Sequence, residues 1–394
     1  MLIQDVRLKV RADLESPPEL RQVGTGWLAG AAALVLAVAG LLFVLCLRYP
    51  SLLTVPQVRS YYVHPIFRLA LHLLLIAAFA LSAVSLVLRA NKVLGFTALT
   101  LTLLATVLGG SRVQSRPGEL TGGAFLGLDW FVLNVAFTGL LFVPLERLFA
   151  RNKGQPLFRA EWREDLFYYL VSSLFVQVLT FLSMAPAFAI LGHTRWTALR
   201  AWVGSQPVVL QVVEIMFLTD LVQYWVHRAF HRVPWLWNFH AVHHSARTMD
   251  WMAAARMHFL EIIALRGTTV IPMIVLGFGD AALHAYILLV YVHSAFVHAN
   301  VGWRLGWMDR LLVTPRFHHW HHGIEREAID VNFAIHFPLL DRLFGTHHLP
   351  EGAWPAGYGI GGHPVPRSYW RQFWYPFRRK TVEISPGAQP HAGT

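Results

Sequence analysis

The stretch His227-Arg-Ala-Phe-His231, followed by His240-Ala-Val-His243-His244, closes a long apolar run with two histidine groups, and His318-His319-Trp-His321-His322 stands downstream of further apolar sequence. The pair His347-His348 brings the clustered histidines to eleven. His227 and His231 are four residues apart, which puts both imidazoles on one helical face. His240, His243 and His244 share the i, i+3, i+4 spacing of His318, His321 and His322, so each group can aim three nitrogens to one side. A lone histidine in a membrane helix is ordinarily a hydrogen-bonded packing residue. Eight at mutually consistent spacings read instead as ligands, and they exceed the shell of one transition ion, so two metals are implied. Neutral imidazole suits iron, zinc, copper or nickel alike. Cys46 is the only cysteine and lies inside an apolar run, which excludes an intrachain disulfide and argues against thiolate ligation. Glu-x-x-His patterns are missing from the central region, which excludes the soluble carboxylate-bridged di-iron bundle.

Outward from the histidines the chain is written for lipid. Of its 394 residues 55% are hydrophobic and only 14% charged, and the mean hydropathy is +0.45. Runs at 25–47, 67–88, 125–142 and 166–191 approach or exceed bilayer length. Membrane helices are expected at 28–47, 68–88, 93–109, 123–145, 166–191 and 205–226, with a hairpin of 262–279 and 281–299 about the turn Phe278-Gly279-Asp280. The first run is too long for a signal-peptide core and reads as a retained helix. The net charge of +11 gathers in the segments between apolar runs, which fits a positive-inside bias and not nucleic acid. With Arg7, Lys9, Arg11 and Arg21 in the cytoplasm, four crossings return Arg147, Arg151, Lys153, Arg159 and Arg163 to that side; Arg112 and Arg116 fall opposite. Six crossings deliver His227 to the cytoplasm, and the hairpin keeps the later boxes there. The expected fold is an all-α integral membrane protein, a transmembrane helix bundle with a cytoplasmic metal centre. Its expected parts are N-terminal helices over 1–200, a catalytic region over 201–350 and a peripheral tail over 351–394.

Around the boxes stand Asp220-x-x-x-Tyr224-Trp225-x-His227-Arg228, Arg256-x-His258-x-x-Glu261, His298-Ala-Asn300-Val301, Thr314-Pro315, Asp330-Val-Asn332-Phe333 and Asp341-Arg-Leu-Phe344-Gly345-Thr346. Together these motifs, over residues 205–346, resemble the fatty acid hydroxylase/sterol desaturase superfamily, the membrane-bound histidine-box di-iron oxygenases. The resemblance implies two iron ions per chain and O2-dependent hydroxylation of a membrane lipid, whether sterol, fatty-acyl, sphingoid or ether lipid, at an unactivated C–H bond. Desaturation with the same site is the alternative. It also implies that a histidine from the second hairpin helix, here His298, completes a ligand set of His227, His231, His240, His243, His244, His298, His318, His321 and His322. The chain departs from the family pattern at Ala334 and Leu340, both read as packing positions. A zinc-dependent hydrolase, which would normally carry HExxH, and a metal transporter, which would favour ligands near mid-membrane, are the remote alternatives.

Asp220, Tyr224, Asn300, Asp330 and Asn332 are the candidate catalytic and supporting residues. Asp220, two turns before His227, is costly in lipid unless paired, and is expected to accept a hydrogen bond from a ligand imidazole or from Tyr224. Asn300 is a candidate weak oxygen ligand through water, while Asp330 and Asn332 are candidate supports for the ligands, against capping or turn roles. His258 and His293 stand as open additional candidates. His319 is expected on the far side of its box, at the surface or behind the ligands, and His347 and His348 in solvent or among headgroups. His64, His72, His284 and His336 read as ordinary polar residues. Aromatic residues 224, 225, 286, 291 and 296 are candidates to line a lateral lipid path. Without a haem-binding, dinucleotide or iron–sulfur motif in the chain, electrons are expected from separate donor proteins.

Overall fold

A computed structural model describes residues 25–114, 123–361 and 365–378, together with Leu8, Ala12 and Glu15. The basic residues Arg7, Lys9, Arg11, Arg21 and Arg116 and the end of the tail, 379–394, lie outside the described residues. Among the described residues eight helices are long and apolar enough to cross a membrane, and the fold is an all-α multi-span bundle. The chain forms two compact units, Met1–Val135 with Ser173–Gln177, and Ala136–Ser172 with Val178–Thr394.

The first unit is built on helices Trp27–Arg48, Pro65–Leu88 and Val93–Val107, which pack on one another. Apolar side chains face both neighbours and lipid here, so association relies on close approach of small residues. Ala33, Ala37, Ala78 and Ala98 form the buried seam. At Gly95 an added Cβ would stand 2.7 Å from the Leu86 side chain, so only glycine permits that contact. Asp129, fully buried, accepts from the Tyr62 hydroxyl at 2.7 Å and from the Val55 N–H at 3.1 Å, which settles a carboxylate among apolar helices.

The single helix expected at 166–191 is two, Trp162–Leu174 and Val176–His193. The Leu174 carbonyl accepts from the Gly127 N–H at 3.2 Å, and the Gln177 side chain accepts from the Phe125 N–H at 3.0 Å. The Gly127 bond engages the Leu174 carbonyl beside the break at Phe175, and hydropathy alone gives no sign of it.

In the second unit the helix expected at 205–226 runs on to Arg232, because His227 and His231 are buried at its end and need no solvent. It stops where Val233 turns extended ahead of Pro234, which lacks the N–H to continue the helix and instead starts the next, Pro234–His244. The sharp stop folds the second box back against the first. His258 then caps helix Phe259–Leu276, its Nδ1 accepting from the Leu260 N–H at 3.2 Å, and Gly277, at φ 80°, ends that helix. Helix Asp280–His298 returns to the boxes. Pro315, in the first turn of Pro315–His321 behind the Thr314 cap, starts the third.

Candidate metal centre

Five of the histidines, His227, His231, His240, His244 and His321, gather in one buried group, and His243, His298, His318 and His322 in a second; within each, one ring nitrogen per residue lies within 4.8 Å of all the others. Both groups consist of imidazoles alone. Four helices contribute: Val208–Arg232, Pro234–His244, Asp280–His298 and Pro315–His321, the last with His322 at its C-terminal end. The groups adjoin, with the His244 and His322 rings stacked at 4.3 Å between centroids.

Outer ring nitrogens decide what the inner ones can do. Nδ1 of His227 bonds to the Phe333 carbonyl at 2.8 Å, that of His243 to the Arg256 carbonyl at 3.0 Å, that of His298 to the Ser294 carbonyl at 2.7 Å and that of His321 to the Val331 carbonyl at 2.8 Å. Nδ1 of His240 bonds to the Glu261 carboxylate at 2.5 Å. Carbonyl and carboxylate oxygens only accept, so the proton sits on Nδ1 and Nε2 presents a bare lone pair. Yet Nε2 of His227 faces Nε2 of His240 at 3.0 Å, and Nε2 of His243 faces Nε2 of His298 at 3.3 Å. Two lone pairs at that distance repel unless a cation lies between them. An ion about 2.1 Å from each nitrogen sets donors at right angles about 3.0 Å apart. The observed spacings of 3.0 Å for His244–His321 and His298–His318 match that arrangement. Nε2 of His231 is buried with no hydrogen-bond partner, as a further ligand would be.

Burial, reinforced by the neighbouring histidines, pushes the imidazoles of His240, His244, His318 and His322 well below the usual histidine range. For His243 and His321 burial is again the main cause, partly opposed by the backbone carbonyls that their rings contact. At neutral pH these six are therefore uncharged and free to donate to metal.

Residues 212–346 match the family described as Fatty acid hydroxylase. Over this segment, about a third of its length, the chain is similar to the fatty acid hydroxylase/sterol desaturase superfamily. The ornithine lipid hydroxylase OlsE of Rhizobium tropici is 29% identical over 288 residues, which span 69% of this chain and 84% of that protein. A putative methylsterol monooxygenase of Dictyostelium discoideum is 27% identical over 236 residues, 58% of this chain and 83% of the relative. Similarity to the alkylglycerol monooxygenase of Homo sapiens, 29% over 146 residues, spans 37% of this chain and 32% of that protein. No solved structure gives a significant match. The matched segment and the histidine groups it carries mark a metal-dependent oxidoreductase, and the pairing of the two groups is consistent with a di-iron centre.

Three of the residues expected to support the ligands, Asp220, Tyr224 and Asn300, are placed differently from their expectation. Asp220 touches no ligand imidazole: its carboxylate accepts from the backbone N–H groups of Ile335, His336 and Phe337 at 2.7, 3.1 and 2.7 Å. It holds the loop that follows Phe333, whose carbonyl orients His227. The Tyr224 hydroxyl bonds to Thr346 at 2.8 Å and receives Arg228 at 3.2 Å, away from both groups. Asn300 is likewise no oxygen ligand, since its side chain makes reciprocal bonds with the Asn152 backbone at 2.8 and 3.1 Å. Asp330 does face a box histidine, standing 3.4 Å from His231 Nδ1 and 3.3 Å from Arg232. Asn332, left-handed at φ 59°, ties the Phe317 and His348 carbonyls together and so fixes the loop beside the third box.

His258 and His293 stand outside both groups; their Nε2 atoms bond to the Phe373 and Val313 carbonyls at 3.0 and 2.9 Å. His319 is not at the surface. It is 1% exposed, lies against the His298 carbonyl and the Tyr358 hydroxyl, and is pushed down to about 4 by burial. His347 and His348 are half-buried, ringed by Phe317 and Trp320 and not free in solvent. His336 is fully buried, 3.2 Å from the Tyr286 hydroxyl. The aromatic candidates form no single wall: Tyr224 and Phe296 belong to one apolar cluster and Tyr286 to another, with Trp225 half exposed beside Phe344 and Arg228.

What the motifs did not give is the scaffold behind the second box. Arg159 pairs with Asp250 at 2.7 Å and with Asp165, and Arg256 pairs with Asp165 at 2.6 Å and Glu161 at 3.2 Å, all buried. This lattice fixes the backbone of Arg256, whose carbonyl orients His243. Arg159 is therefore an internal structural charge and not one of the surface charges of the 147–163 segment. Glu146 accepts from the Trp251 and Asn300 N–H groups at 2.8 and 3.0 Å, joining the loop after the second box to the end of the His298 helix. A carboxylate near the end of an apolar run was the one available signal for it.

Proposed function

We propose that this protein is an O2-dependent di-iron monooxygenase that hydroxylates a membrane lipid at an unactivated C–H bond. The observation that carries this reading is the packing of nine buried imidazoles into a group of five and a group of four, with the inward lone pairs of His227, His240, His243, His298 and His321 set by acceptor-only partners on their outer nitrogens. His227, His231, His240, His244 and His321 would hold one iron, and His243, His298, His318 and His322 the other. Bound iron supplies dioxygen activation and C–H oxidation. The chain's own residues do the positioning. Glu261 orients His240, the Arg159–Asp165–Arg256 lattice and its carbonyl orient His243, and Asp220 and Asn332 fix the loops whose carbonyls hold His227 and His321. Burial of every ligand keeps bulk water from the centre.

The names of the relatives favour hydroxylation over desaturation, and the long alignment with an ornithine lipid hydroxylase makes a polar-headed acyl lipid the first substrate class to test. Electrons would come from separate donor proteins. The centre is proposed to face the cytoplasm, on the support of the basic segment between 147 and 163 and an even number of intervening spans. Lipid extracts from cells with and without the gene should differ by species one oxygen heavier, and iron-loaded protein should carry two ions per chain. A mass loss of two hydrogens would replace hydroxylation by desaturation, and one ion at full occupancy would refute the two-metal site. Cysteine labelling at Trp235 and Glu325, without Cys46, should mark both from the cytoplasmic side; labelling from the opposite side would overturn the orientation.

A further inference from the structure

Helix Tyr369–Arg378, beyond the last family motif, presents three kinds of surface. At about 100° per residue, Tyr369, Gln372, Phe373 and Pro376 share one side and pack inward. There Gln372 accepts from the Tyr168 hydroxyl at 2.7 Å, and the Phe373 carbonyl accepts from His258 at 3.0 Å, with the two rings stacked at 5.3 Å. The next side carries Trp370, Trp374 and Phe377, which are 62%, 48% and 52% exposed. Arg371 and Arg378 occupy the third side, both exposed. Large aromatics left open in this way on one short helix are out of place in water.

Neighbouring residues say what covers them. His258, which clasps the helix, is the cap of Phe259–Leu276, one of the span-length apolar helices, so the aromatic side lies at the level where that span begins. Leu260, the second residue of the span, and Trp235, which meets Phe239 edge to face at 5.2 Å, are also exposed, and Phe239 in turn contacts Phe377 at 5.6 Å. The apolar surface is thus continuous from the span to the helix. Tryptophan beside arginine is the composition of a bilayer interface, rings at the acyl boundary and guanidinium groups among anionic phosphates.

We infer that helix Tyr369–Arg378 lies in the interface of an anionic bilayer, with Trp370, Trp374 and Phe377 in the acyl boundary and Arg371 and Arg378 against headgroups. Seated there, it clamps the second histidine helix through Phe239 and His258. This inference is independent of the proposed chemistry.

The test uses the full chain in nanodiscs of phosphatidylglycerol and phosphatidylcholine in equal parts, with a nitroxide at Trp374→Cys, or at Phe377→Cys, in a Cys46→Ala background. Expected is high access to oxygen and low access to a water-soluble nickel chelate, at a depth of about 5–10 Å, while a label at exposed Glu327→Cys shows the reverse. Chelate access at 374 and 377 equal to that at 327 would overturn the inference. So would dipolar broadening between labels without lipid contact, which would assign the face to a second copy of the chain. Discs of phosphatidylcholine alone, or Arg371→Gln with Arg378→Gln, should leave the labels shallower; no change in either would refute the anionic headgroup contact.

Discussion

Glu261→Gln separates a role in holding metal from a role in holding the fold. Glu261 is 1% exposed; one carboxylate oxygen stands 2.5 Å from His240 Nδ1, and the other is buried without a hydrogen-bond partner. Glutamine has nearly the same shape and still offers an oxygen to His240, so the ring keeps its tautomer and direction and loses only the anionic acceptor that makes it a stronger donor. Removing such a partner typically costs about 10–100-fold in metal affinity, or roughly 1.4–2.7 kcal/mol. In the metal-free protein the sign reverses, because a half-satisfied buried carboxylate is costlier than a neutral amide. The metal-free variant should therefore melt at or above the parent while binding its first iron more weakly, read by chelator-competition titration and by thermal unfolding with and without iron. Glu261→Leu, which also leaves Nδ1 unpaired, should lose more affinity than Gln. Unchanged iron affinity in Glu261→Gln would refute the argument, and a loss of metal-free stability that accounts for all of the affinity change would reduce Glu261 to a packing residue.

Three further outcomes follow from the same geometry. His321→Ala removes an inward nitrogen and should abolish activity and lower iron content, whereas His319→Ala, which takes away only contacts to Tyr358 and the His298 carbonyl, should lower stability yet retain two ions; the reverse pattern would show the ligand set to be wrong. Asp220→Asn leaves one oxygen to face three backbone N–H groups, so melting should fall by the equivalent of about 1–3 kcal/mol for each donor left unpaired, with iron stoichiometry near normal in the protein that folds; loss of iron without loss of stability would restore the expected bond to a ligand imidazole. Burial pushes His319 down to about 4 and His336 to about 3, below the 6.5 of a free histidine. The unfolded chain therefore takes up protons first as pH falls. Metal-free stability should decline from about pH 6.5 toward 4, by about 1.4 kcal/mol per unit for each such residue, and thermal midpoints that stay flat across this window would contradict it.

The membrane class, the approximate place of the eight spans and the histidines that meet were legible in the residues alone. Hydropathy and residue spacing are local properties, and lipid leaves a chain of this composition few alternatives to helices. The i, i+3, i+4 pattern likewise survives any packing arrangement, since it depends only on helical pitch. Which histidine joins which group emerged only from the packing of the helices, because His243 and His244 are adjacent in sequence yet turn to different groups on one helix. The folded structure alone gave the break at Phe175, where the Gly127 N–H bonds to the Leu174 carbonyl. It also moved Asp220 from the expected bond to an imidazole or Tyr224 to a loop backbone, and revealed Arg159, Asp165 and Glu146 as supports. A buried charge or an orphaned carbonyl is satisfied by whichever partner the fold brings near, often from a hundred residues away, and no periodicity along the chain records that choice.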